Sequence, residues 1–137
     1  MASLRKDIVL EADAESVWAA VSDFGAVDKR MAPGFVVESR LDGDRRIVKF
    51  ANGVEATETL VSRDDASRRL AYAIIGGRPA HYNASIQVFA EGAGRSKLVW
   101  IIDLLPDDFA GYLENQMQAA VNAMKPTLEA GSARGKD

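Results

Sequence analysis

The sequence predicts an α+β fold, an antiparallel sheet covered on one face by a single long C-terminal helix. Three observations carry this. Residues 35–105 read as short alternating stretches separated by turn signals, among them Asp42-Gly43, Asn52-Gly53 and Gly76-Gly77-Arg78-Pro79. Consecutive strands joined by such short turns pair antiparallel, which leaves one sheet face needing a cover. The stretch from Pro106 to Leu128 supplies it, because Phe109, Leu113, Met117, Ala120, Val121, Met124 and Leu128 recur at spacings of three, four or seven. On a helix these residues fill one sector roughly 120° wide.

In chain order, Ser3 to Leu10 reads as a strand ending in Ile8-Val9-Leu10. Asp13 is placed to cap a helix whose apolar side is Val17, Trp18 and Val21. Phe24-Gly25 interrupts it, a second short helix runs to about Arg30, and Pro33-Gly34 ends that segment. Strands follow over Phe35–Arg40, Arg46–Phe50, Val54–Arg63, Arg69–Ile75, Tyr82–Phe89 and Lys97–Leu105. Asp107 and Asp108 then favour a helix N-terminus, and the helix spans roughly 36 Å. Pro126 predicts an end of its straight part near Lys125, or a kink there. Residues 1–130 read as one domain and residues 131–137, without apolar anchors, as a flexible tail.

Composition narrows the function. A net charge of −3 and the absence of basic runs interleaved with aromatics argue against nucleic acid as partner. The chain has no cysteine and one histidine, His81, which excludes thiol chemistry and multi-histidine metal sites. Asp64-Asp65 and Asp107-Asp108 lack companion ligands, so neither a metal nor another cofactor is expected. The N-terminus has no long apolar run, so the expectation is no membrane segment and a cytoplasmic location.

Several segments match a known family in order and spacing: Ala14-Glu15-Ser16-Val17-Trp18 with Phe24, Asn52-Gly53 leading to Glu58 and Leu60, and Tyr72 to Gly77. Pro79 with Tyr82, Trp100 with Pro106, and Ala123 to Glu129 extend the match over almost the whole chain. With these residues the chain resembles the polyketide cyclase/dehydrase-type proteins of the START-like (SRPBCC, helix-grip) superfamily. The resemblance implies seven strands curled around the C-terminal helix, two short helices between strands 1 and 2, and a cavity between sheet and helix. The chain departs from many relatives at Met31, where they carry tryptophan. It also lacks, in Phe35–Arg40, the pocket lysine of carboxylate-hormone receptors.

Strand parity then nominates residues for the cavity. Tyr82, Ala84, Ile86 and Val88 share an inward face, as do Tyr72 and Ile74. Val54, Ala56, Glu58 and Leu60 form the more apolar set of their strand and place a carboxylate among apolar neighbours. On the last strand, hydrophobicity favours Trp100, Ile102 and Leu104 inward, whereas spacing within the resemblance favours Ile101 and Asp103, the assignment adopted here. In Arg46–Phe50 either Lys49 or Phe50 points in.

A buried Glu58 requires a partner, with Lys49, Arg78 or a tyrosine available, or it meets a ligand. Arg78 belongs to the mouth loop that the resemblance implies, and His81 falls at the surface or the mouth. The leading expectation is a protein that binds a small hydrophobic molecule, polyketide-, lipid- or terpenoid-like. The expected ligand-binding residues are Ala56, Glu58, Tyr72, Ile74, Arg78, Tyr82, Ala84, Ile101, Asp103, Leu113, Met117 and Val121. The alternative is a cyclase or dehydratase that uses Glu58 as acid or base, and the third reading is a protein-interaction module. The chain is expected to be a monomer or a homodimer.

Overall fold

The computed structural model describes the backbone of residues 2–135 and the side chains of residues 2–131. Strand β1 (Ala2–Leu10) is followed by helix α1 (Ala14–Ser22), a 3-10 turn (Phe24–Ala26) and a π-helical turn (Val27–Met31). Then come β2 (Val36–Asp42), β3 (Arg45–Phe50), β4 (Glu55–Asp64), β5 (Arg69–Ile74), β6 (His81–Ala90) and β7 (Ser96–Leu105). A 3-10 turn (Asp107–Phe109) leads into α2 (Ala110–Gly135). This is the predicted element order. Asp13 caps α1 as expected, accepting from the Ser16 N–H at 2.8 Å.

All seven strands join one antiparallel sheet in the order β1-β7-β6-β5-β4-β3-β2. The first and last strands lie side by side, so the meander runs from β7 outward to β2. Register shifts at Val36/Glu38 and Leu60/Ser62 mark bulges, which bend a strand and strengthen its twist. Helix α2 packs against β1, α1 and the π-helical turn. Met117, Ala120, Met124 and Leu128 are its buried stripe.

One expectation is corrected, and two alternatives left open by the sequence are narrowed. On β7 Leu98, Trp100, Ile102 and Leu104 are buried on the face toward the helix, while Ile101 and Asp103, with the buried Val99, are on the other face. The apolar set goes inward because that face is the one covered, and Asp103 instead accepts from the Ser3 hydroxyl of neighbouring β1. On β3 the inward residues are Arg46, Val48 and Phe50; Lys49 lies on the other face. Finally, α2 continues through Pro126 and past residue 131 to Gly135. Once a helix is nucleated each further residue adds a hydrogen bond at little cost, and one missing N–H does not stop it. Of the expected tail, residues 136 and 137 lie outside the described residues.

Candidate ligand cavity

The site begins with a turn. The Gly53 N–H donates to the Phe50 carbonyl at 2.9 Å, Phe50 N–H donates to the Val54 carbonyl at 2.9 Å, and Gly53 has φ +88°. The hairpin loop is therefore the three residues Ala51-Asn52-Gly53, with glycine at the left-handed position. A two-residue Asn-Gly loop would set the register one residue differently. This loop pairs Arg46 directly across from Glu58, and both side chains point under the helix.

Arg46 and Glu58 are almost fully buried, with 4% and 6% exposure. Arg46 Nε donates to Glu58 Oε1 at 2.7 Å, and Arg46 Nη1 donates to the Phe24 carbonyl at 3.2 Å. The guanidinium carbon lies 4.0 Å from the Phe24 ring centroid and 4.9 Å from that of Tyr72. Two aromatic faces and a carboxylate thus replace the water that this cation loses on burial. The sequence offered Lys49, Arg78 or a tyrosine as the partner of Glu58, and the structure supplies Arg46. Its position two and four residues before Val48 and Phe50, on one strand face, was the available signal.

Beside the pair stand Tyr72 and Tyr82. Burial raises the Tyr72 phenol well above its usual range, and the Glu58 carboxylate pushes it further. The Tyr82 phenol is raised mainly by burial, then by Tyr72 and Glu58. Both keep their protons at physiological pH, so each offers a neutral hydroxyl. Trp100, from β7, brings its buried indole N–H close to the Tyr72 hydroxyl without a well-aligned hydrogen bond to it.

Above this polar floor is a cavity of about 650 Å³ between β3–β6, the turns after α1, and α2. Its walls are mainly apolar: Met31, Phe35, Phe50, Ala56, Ile74 and Ile86 on one side and Leu113, Met117 and Met124 on the other. At its mouth the loop Gly76-Gly77-Arg78-Pro79 reaches over to the helix start, with the Arg78 guanidinium carbon 5.3 Å from the Phe109 ring centroid. The β3–β4 loop makes a second contact there, Asn52 Nδ2 donating to the Tyr112 hydroxyl at 2.9 Å.

Of the residues nominated from sequence, Ala56, Glu58, Tyr72, Ile74, Arg78, Tyr82, Leu113 and Met117 line this cavity. Ala84 points inward as expected but is sealed in the core, away from the cavity wall. Val121 packs partly buried against the core beside the lining residues Ala120 and Met124. Ile101 and Asp103 are on the far face of the sheet. His81 is exposed at the start of β6. Among the described residues there is no grouping of three or more His, Asp or Glu side chains suited to a metal ion, and no helix is long and apolar enough to cross a membrane.

A curled antiparallel sheet gripping a long helix over a cavity is the helix-grip fold. The chain belongs to the family described as polyketide cyclase/dehydrase and lipid transport, which matches residues 1–135. No curated protein matches it in sequence. A solved Thermobifida fusca protein is similar at 26% identity and TM-score 0.79, over 98% of this chain and 95% of that one. A START superfamily protein of Mycobacterium smegmatis shares the fold at 11% identity and TM-score 0.75, over 96% and 97% of the two chains. Norcoclaurine synthase from Thalictrum flavum also shares it, at 17% identity and TM-score 0.73 over 93% and 91%.

Proposed function

We propose that this protein binds a small, largely hydrophobic molecule, polyketide-, lipid- or terpenoid-like, in the cavity between sheet and α2. The observation that carries the reading is a volume of about 650 Å³ with mainly apolar walls and a buried Arg46–Glu58 pair at one end. Pockets of a few hundred Å³ with a few convergent polar groups suit ligands of this size. Met31, Met117 and Met124 give the walls adaptable side chains. Native mass spectrometry of freshly purified protein, together with titration of an environment-sensitive apolar dye, tests the reading. Saturable one-to-one binding is expected, and Ala56→Trp, which fills the cavity from β4, abolishes it while circular dichroism stays native. A chain that binds no dye, or binds it equally well with Ala56→Trp, overturns the reading.

A second reading, turnover of the bound molecule by a cyclase- or dehydratase-type reaction, rests on Glu58. Glu58 and Tyr82 both line the cavity. General acid–base chemistry needs such a pair within reach of a bound substrate. Unchanged product formation by Glu58→Gln would remove it.

A further inference from the structure

Arg46 and Glu58 are joined by one hydrogen bond, not two. The Nε–Oε1 contact at 2.7 Å and the Nη1 bond to Phe24 leave Arg46 Nη2 and Glu58 Oε2 without a protein hydrogen bond among the described residues. Among the described residues, the buried side-chain polar atoms without partners are Ser39 Oγ, Ser96 Oγ and Trp100 Nε1. Nη2 and Oε2 are not among them, so each keeps some accessible surface, on residues that line the cavity. The floor therefore presents a donor and an acceptor side by side, held in place by the ion pair itself.

Charge sharpens the selection. The guanidinium is already balanced by Glu58, and no other cation lines the floor; Arg78 is at the mouth. A free carboxylate seated here would meet Nη2 only by bringing its charge close to that of Oε2. A neutral group that accepts on one atom and donates from the next satisfies both protein atoms at once.

From this geometry we infer that the cavity selects an uncharged ligand whose polar end carries a carbonyl acceptor beside an N–H or O–H donor, and that it discriminates against the matching carboxylate. The carbonyl accepts from Arg46 Nη2 and the N–H or O–H donates to Glu58 Oε2. The inference rests on the ligand-binding reading above and adds the polarity and charge of the ligand's head.

Naphthamide and naphthoate, which share a ring and differ in the head group, test it by fluorescence titration at neutral pH. The unmodified chain is expected to bind naphthamide about tenfold or more tightly than naphthoate, the scale of a hydrogen bond to a charged group. Glu58→Gln leaves Arg46 unbalanced and is expected to reverse the preference. The double substitution Arg46→Met with Glu58→Met keeps the pair's volume without its charges, and is expected to hold both compounds with no preference. Equal or tighter binding of naphthoate by the unmodified chain overturns the inference, as does a preference that survives in the double variant. Dye binding without binding of either naphthyl compound overturns it and leaves the cavity reading standing. Loss of dye binding as well overturns both.

Discussion

The two ends of the sheet obey the same alternation and reach opposite results. Where β6, β7 and β1 run together, Leu10, Leu98, Ile102 and Leu104 are inward with 0% exposure. Where β3, β4 and β5 run together, the inward Phe50, Ala56 and Ile74 are only partly buried, and Ile75 and Val54 at the rim are exposed. The difference lies in where α2 leans. It packs on β1, α1 and the π-helical turn, and the curled sheet stands away from it at the β3–β5 end. One end is thus a core and the other a container, although both are built from the same kind of residue.

The largest expected effect separates the container's polar floor from its walls. Arg46→Ala leaves Glu58 buried without a counter-charge and is expected to cost about 3–5 kcal/mol in urea unfolding. Replacing both by Met is expected to restore most of that stability, because a well-packed apolar pair needs no desolvated charge. Next, Ile102→Ala at the filled end is expected to cost about 3 kcal/mol, whereas Leu113→Ala on the cavity wall costs about 1 kcal/mol. Parity between those two values would mean that the cavity end is as tightly closed as the core.

The tyrosines give a pH test. Their pKa values are raised in the folded state, so the stability they contribute is intact below about pH 10, the unfolded value, and falls as pH climbs toward the folded value. Each buried phenol is expected to remove about 1.4 kcal/mol per pH unit above about pH 10, and Tyr72→Phe should flatten that slope in unfolding measured from pH 9 to 11. The smallest effect is at the mouth. Tyr112→Phe loses the exposed bond from Asn52 and is expected to change stability by about 0.5 kcal/mol, with a faster ligand off-rate in stopped-flow as its clearer signature.

Much of the container was legible residue by residue. Glu58, Tyr72, Ile74 and Tyr82 followed from alternation along short strands, and Leu113 and Met117 from helical spacing. Arg46 was not, because a cation reads as solvated until a partner is known, and its partner depends on a one-residue detail of the β3–β4 loop. Ile101 and Asp103 were misassigned for a related reason. Both faces of that stretch are largely apolar, so parity alone cannot choose between them, and spacing borrowed from relatives can slip by one. Ala84 shows a different limit, since facing inward does not say whether the space ahead is filled.

The sequence by itself determined the element order, the antiparallel meander and the amphipathic helix that covers it, because these depend on local periodicity and turn chemistry. Tertiary structure alone decided which end of the sheet the helix fills, and that a buried arginine and glutamate face each other beneath the gap. Those outcomes depend on register and on the lean of one rigid element against another, and neither is encoded in any single stretch of chain.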